Sequence, residues 1–124
     1  METTYSEMPR HLNEFSIGVA ICKNLSTANL GVMPTKIGEF LACGRPVIVN
    51  RGLGDLDTLL KEYKAGVVLD HTNLNEAVEE VIEMTQSESV QSNCRKLAID
   101  YFDLRKGALK YLDIYKFIGR RGLE

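Results

Sequence analysis

Three short apolar runs, each followed by a stretch with helical periodicity, constrain the fold of this chain more than any other feature. They occupy residues 17–22, 46–49 and 67–69. A short run without polar alternation is typical of a strand that is buried on both faces of a parallel sheet. Strands that alternate with helices over short connections predict βαβ units on one parallel sheet.

The segments between and after these runs carry start and stop signals of helices. Pro34 suits the first helical position, and Gly44 suits a left-handed stop. Asp55 precedes an apolar stripe as an N-cap, and Asn73 does so with Glu76 in the capping-box position. The predicted helices are a short one near Pro9 and longer ones over residues 34–43, 56–64, from 74 onward, about 88–102 and about 104–118.

These elements predict an α/β fold, namely a partial Rossmann-like, doubly wound parallel sheet of about three strands with flanking helices and two C-terminal helices. A doubly wound nucleotide-binding domain usually has about six strands. We therefore expect the 124 residues to form one partial domain, residues 1–124, and to be a piece of something larger.

Composition excludes several classes of function. The 15 Lys and Arg residues are balanced by 17 Asp and Glu residues, which gives no electrostatic reason to expect a nucleic-acid partner. No apolar run approaches the roughly 20 residues of a transmembrane helix, and no secretory signal is visible. Cys22, Cys43 and Cys94 are widely spaced and odd in number, which favours buried reduced thiols and a cytoplasmic location.

The stretch MPTKIGEFLACGRPVIV at residues 33–49 resembles the donor-binding motif of retaining glycosyltransferases with the GT-B fold. The similarity is to their nucleotide-sugar-dependent group 1 family, of the family 4 type, many of which act in polysaccharide biosynthesis. Residues 52–55 and 65–70 are similar to the next turn and strand of that family. The resemblance is specific over residues 9–70 and looser towards the C-terminus.

The resemblance implies a site for the diphosphate and ribose of a nucleotide sugar. A helix N-terminus offers free N–H groups to the diphosphate, and the Lys36 ammonium adds a positive charge. The resemblance implies that Glu39 accepts hydrogen bonds from the ribose hydroxyls. The alternative interpretation of Glu39 is a solvated glutamate on the helix surface. The implied donor-binding residues are Gly31, Val32, Met33, Pro34, Thr35, Lys36 and Glu39.

The chain also departs from the family pattern. Many members have another glutamate eight positions before the one that corresponds to Glu39. This chain has Gly31 at that position. Sugar recognition would then use backbone groups of Gly31, Val32 and Met33, or another segment. We expect no metal site and no cofactor, the nucleotide sugar (UDP-, GDP- or dTDP-linked) being a substrate.

The resemblance implies that the complete enzyme transfers sugar to a carbohydrate or lipid-linked acceptor. The family's acceptor-binding N-terminal domain, and the first half of its donor domain, have no counterpart in these residues. No catalytic residue is therefore assigned, and we expect the 124 residues alone to be inactive. The alternative to a cytoplasmic location is that the complete enzyme is a peripheral membrane protein. The alternative is a non-catalytic α/β interaction module on the same scaffold.

Two surfaces are expected to need a partner. Without the missing half-domain, the strand at residues 17–22 would lie at a sheet edge, which predicts self-association through that edge or cover from residues 1–15. The last helix has a stripe of Leu104, Ala108, Tyr111, Tyr115 and Ile118. In GT-B enzymes this helix crosses to the N-terminal domain, so that Leu109, Leu112 and Phe117 would suit a second contact, unless one wide stripe faces a single core.

Overall fold

The computed structural model describes residues 3–23 and 31–121, and it contains one parallel sheet. The strands are β1 (Gly18–Ala20), β2 (Val47–Asn50) and β3 (Gly66–Leu69), in the spatial order β1–β2–β3. Helices lie between successive strands and on both faces of the sheet. The predicted fold class, a partial Rossmann-like α/β sheet of three strands, is confirmed.

The described part of the chain contains six α-helices. The fifth continues into one π-helical segment, Ala98–Phe102, before the sixth begins. The α-helices are α1 (Met8–Leu12), α2 (Thr35–Ala42), α3 (Leu56–Tyr63), α4 (Leu74–Gln86), α5 (Val90–Leu97) and α6 (Leu104–Arg121).

Helices α2, α3 and α5 cover one face of the sheet and form the larger core. Val47 and Val49 point from β2 into this core, which is completed mainly by leucines of the three helices and by Cys94. Cys94 is fully buried, and its burial raises the pKa of the thiol to about 12. All three cysteines are free thiols, but only Cys94 is buried as predicted, since Cys22 and Cys43 are half-buried.

Helix α4 covers the other face only in part. Ala77 and Val81 of α4 pack against Ile48 and Val67, which are neighbours in the register of β2 and β3. Val19 is beside Ile48 on β1, yet its side chain remains 64% exposed. The open side of the sheet is therefore the edge formed by β1.

Strand β1 is shorter than the predicted strand at residues 17–22. It spans Gly18–Ala20, and the chain beyond it is held to β2 by a side chain instead of by the strand ladder. Helix α1 packs against α2 and does not extend along β1. Self-association through this edge stays a prediction.

Two predicted helix caps occupy the N-cap position without capping. Asp55 makes no capping hydrogen bond, and Asp57 instead accepts the N–H of Gly52 with both carboxylate oxygens, each at 3.2 Å. The Asn73 side chain accepts the N–H of Asp70 at 2.9 Å and donates to the Val68 carbonyl. The side chains of Asp57 and Asn73 therefore stabilise the turns that precede α3 and α4, and neither forms the predicted helix cap.

Helix α6 differs most from expectation. Its main packing in the described structure is against the π-helical segment that precedes it. The predicted stripe does not face a core, since Leu104, Tyr111, Tyr115 and Ile118 are 84%, 66%, 69% and 59% exposed. No helix within residues 3–23 and 31–121 combines the length and apolarity needed to cross a membrane.

Gly66 allows β2 and β3 to approach closely, which gives a test of the sheet. A Cβ at this position would lie 2.3 Å from the backbone oxygen of Val47, so that one strand would have to move. We expect Gly66→Ala to lower the free energy of unfolding by about 1–3 kcal/mol in urea denaturation. Gly107→Ala in α6 is the matched control, because nothing lies within 4 Å of its Cβ position. Equal stabilities of the two variants would contradict this expectation.

Candidate functional site

The candidate site begins at the N-terminus of α2. Pro34 has extended backbone angles (φ −61°, ψ 125°) and is the N-cap, so the helix starts one residue later than predicted, at Thr35. Ile37 donates its N–H to the Pro34 carbonyl at 3.1 Å. The N–H groups of Thr35 and Lys36 come before this first hydrogen bond of the helix. Helix N–H groups in that position are suited to binding an anion.

The parallel sheet places this helix end at its carboxyl edge. In open α/β sheets, ligands bind at that edge, where strands end and the following helices begin. Asn50, the last residue of β2, fixes the chain that leaves β1: its Oδ1 accepts the Cys22 N–H at 2.8 Å, and its Nδ2 donates to the Cys22 carbonyl at 3.1 Å. The sequence analysis did not identify this residue. An Asn at the end of an apolar run carries no signal for a partner 28 positions away.

Thr35 and Glu39 lie on the same side of α2 and line one open groove of about 750 Å³. They are one turn apart, which places their side chains on neighbouring surface positions. Glu39 is half-buried there. The remaining lining comes from the turn before α1, from α2 itself, from α5, and from the π-helical segment and the residues that follow it: Tyr5, Gly38, Ala42, Arg95, Ala98, Ile99, Phe102, Asp103 and Leu104.

Lys36 and Pro34 do not share that groove. They line a separate cavity of about 340 Å³ between α2 and β1, together with Phe40 and residues 18–22. The reason is helical geometry, because Lys36 is rotated by about 100° from Thr35. Of the predicted residues, the structure thus brings Thr35 and Glu39 together and leaves Lys36 beside them on another surface.

The three residues before Pro34 have different environments. Met33 is half-buried and packs against the larger core, which anchors the approach to α2. Val32 is 38% exposed, and Gly31 has open space at its Cβ position. Residues 24–30, which precede Gly31, lie outside the described residues.

Arg95 is the cation of α5 that lines the groove with Glu39, and the sequence analysis missed it. A basic residue in a predicted helix is most simply explained as a solvated side chain, so the sequence gave no reason to place Arg95 at the site. Asp103 also lines the groove, where a bidentate-like contact with Arg105 (2.9 and 3.2 Å) lowers the pKa of the carboxyl to about 2. The groove is therefore lined by two acidic side chains, Glu39 and Asp103, and by Arg95.

A hydrogen bond joins α3 to the π-helical wall of this region. Tyr63 donates its hydroxyl to Asp100 at 2.8 Å, and Lys106 contacts the other carboxylate oxygen at 3.2 Å. These bonds lower the pKa of Asp100, and the Asp100 acceptor raises the pKa of Tyr63 to about 12. No group of three His, Cys, Asp or Glu residues that could hold a metal occurs among residues 3–23 and 31–121.

Comparison with known proteins does not assign this site to a family. No protein-family model matches the chain, and no curated protein or solved structure is significantly similar to it.

The Asn50 clamp can be tested by removing its side chain. We expect Asn50→Ala to lower the free energy of unfolding by about 1–2 kcal/mol, because a partly buried N–H and carbonyl of Cys22 lose their partners. Amide hydrogen exchange at Cys22 should accelerate in the variant. Asn75→Ala, an exposed position in α4, is the control. Unchanged exchange at Cys22 would show that the clamp does not hold β1.

The Tyr63–Asp100 bond predicts a pH effect with a defined sign. Because the folded-state pKa of Asp100 is lowered, its stabilising contribution is present above the pKa of an unfolded Asp, about 3.9, and is lost as the pH falls below it. In Tyr63→Phe we expect the Asp100 pKa, measured by carboxyl NMR titration, to rise towards the ordinary value. Tyr111→Phe should leave it in place, and an unmoved Asp100 pKa in both variants would contradict the assignment.

Proposed function

We propose that the groove at the start of α2 binds the diphosphate and ribose of a nucleotide sugar, as the donor-binding part of a glycosyltransferase. The observation that carries the proposal is the joint placement of Thr35 and Glu39 in one groove that begins at the N-terminus of α2. The sequence of residues 33–49 supports the same assignment through its resemblance to the donor-binding motif.

The diphosphate would bind at the helix end. The N–H groups of Thr35 and Lys36 and the Thr35 hydroxyl are hydrogen-bond donors, and the positive end of the helix dipole favours an anion there. Arg95 lines the same groove, but its Nε lies close to Gly44, beyond the opposite end of α2, so the helix N–H groups and the Thr35 hydroxyl are the donors proposed for the diphosphate.

The ribose would bind at Glu39. An ionised carboxylate has two acceptor oxygens, which can take one hydrogen bond from each hydroxyl of a ribose diol. Half-burial in the groove strengthens such bonds relative to an exposed glutamate, since water competes less for the carboxylate. The base, the sugar and the acceptor would be recognised by further groups of a complete enzyme.

In that enzyme the donor sugar would pass to a carbohydrate or lipid-linked acceptor with retention of configuration. Positioning of the donor and stabilisation of the leaving diphosphate would supply the catalysis. The part proposed for these residues is donor binding, and we expect no transfer activity from them alone.

A second candidate is an interaction module that kept the scaffold without the chemistry. Two observations favour it: Lys36 and Glu39 line different cavities, and Val19 of β1 and Ile21 just after it are 64% and 57% exposed at the sheet edge. For such a module the β1 edge, and not the groove, would be the functional surface.

A titration that compares UDP with 2′-deoxy-UDP tests the proposal, with the labelled chain observed by NMR. We expect shifts at Thr35, Lys36, Gly38 and Glu39, and tighter binding of UDP because the deoxy ligand lacks one diol hydroxyl. Glu39→Gln should weaken UDP binding by about 10-fold or more and abolish the preference. GDP and sugar-linked UDP would then rank the bases and sugars.

Glu62→Gln, an exposed glutamate of α3, is the control and should bind like the unaltered chain. Equal affinities for UDP and 2′-deoxy-UDP would reject the ribose role of Glu39. Absence of any shift in α2 at millimolar nucleotide would reject donor binding by this chain and favour the interaction module.

A further inference from the structure

Helix α6 extends from the domain with its apolar side chains exposed. It has 18 residues, and its packing in the described structure is mainly at its base, against Ala98–Phe102. Its large apolar residues are between 47% (Leu112) and 84% (Leu104) exposed. A helix of this length spans about 27 Å, so this is an extended apolar surface and not an isolated side chain.

The apolar residues of α6 form one continuous arc. At about 100° per residue, nine neighbouring positions cover about 160° of the helix circumference without a charged residue. This arc is wider than the stripe by which a helix usually packs on a core. Its members are Leu104, Gly107, Ala108, Tyr111, Leu112, Ile114, Tyr115, Ile118 and Gly119.

The charges of α6 are distributed around that arc. Lys110 borders it on one side and Lys116 borders it on the other, and Asp113 lies nearly opposite its centre. Arg105 also borders the arc but is paired with Asp103 at 2.9 Å. The helix holds six Lys and Arg residues against one Asp, whereas the whole chain has a net charge of −2. Leu109 and Phe117 lie among the charged positions. A positive helix therefore extends from an otherwise acidic domain.

We propose that α6 lies in the surface of an anionic lipid bilayer, parallel to its plane, with the apolar arc in the acyl boundary. Cations at both borders of the arc can reach the headgroups while their stems cover apolar surface, and Asp113 would face water. Tyr111 and Tyr115 have amphipathic rings of the kind enriched at membrane interfaces. The proposal is independent of nucleotide binding, and it assigns to a bilayer the helix that the resemblance to GT-B enzymes directs to an N-terminal domain.

Charge and arc width favour a bilayer over a second copy of this chain. Two α6 helices packed through their arcs would bring the bordering lysines of both copies together, and like charges repel. Lys110 and Lys116 have no ion pair in the described structure that would relieve this repulsion. Anionic headgroups neutralise the same cations and attract them to the bilayer surface.

Co-sedimentation with phosphatidylcholine vesicles, with and without phosphatidylglycerol, tests the proposal on the full chain. We expect binding to the anionic vesicles that weakens with added salt. Lys110→Glu/Lys116→Glu should reduce this binding by about 10-fold or more. The control Lys23→Glu/Lys61→Glu makes the same change in net charge at exposed positions outside α6 and should reduce it far less.

A single tryptophan tests the orientation, since the chain has none of its own. With Tyr115→Trp, at the centre of the arc, we expect the emission to shift to shorter wavelength on anionic vesicles. With Asp113→Trp, on the opposite side, the emission should remain that of a solvated indole. Circular dichroism would verify that each variant keeps its helices.

Three results would overturn the proposal. The first is absence of binding to anionic vesicles at low salt by a folded sample, and the second is equal weakening by the α6 and control charge reversals. The third is a dimer, observed by sedimentation velocity, that Tyr115→Asp dissociates and that does not bind vesicles. That result would assign the apolar arc to a second copy of the chain.

Discussion

The structure depends on strand β2 being buried on both faces. Val47 and Val49 point into the core under α2, α3 and α5, while Ile48 points towards α4. A four-residue strand can specify its register in this way because a slip by one residue would exchange the two sets of side chains. Gly66 permits the close approach of β3 that completes this arrangement, since no Cβ fits against the Val47 carbonyl.

The position of the candidate site follows from that central strand. Parallel pairing brings the carboxyl ends of β1 and β2 to one edge, and the crossover from β1 to β2 must begin its helix there. Asn50 extends the pairing by a side chain where the ladder has ended. The N-terminus of α2 lies at this edge, where Pro34 and Lys36 line one cavity with Cys22.

Much of this could be predicted from local patterns. Apolar runs gave the three strands and their parallel class, and Gly44 adopts the expected left-handed conformation (φ +74°) at the end of α2. The predicted N-cap residues occupy the N-cap positions, but the predicted capping hydrogen bonds are absent from both helices. A side chain that can cap a helix can also bond to a turn, as Asn73 does with Asp70 and Val68. Tertiary context decided between partners that the sequence made equally available.

The candidate site was predictable only along one helix. Spacing placed Thr35 and Glu39 on one side of α2, but it gave no information on what faces them, and Arg95 comes from a helix that begins more than 50 positions later. Lys36 was grouped with Glu39 because they are near in sequence. Helical rotation separates them onto different cavities, and that distinction requires the surrounding elements to be in place.

Helix α6 shows the same limit for an entire element. Its periodicity correctly predicted a helix, but periodicity does not say whether the apolar side meets a core, a partner or a lipid surface. A helix in water gains little from an apolar arc that remains exposed, and most helical stability in proteins comes from burying such a face. The arc is therefore better explained by a surface that covers it than by the domain to which α6 is attached, and the cations at its borders specify a negatively charged one.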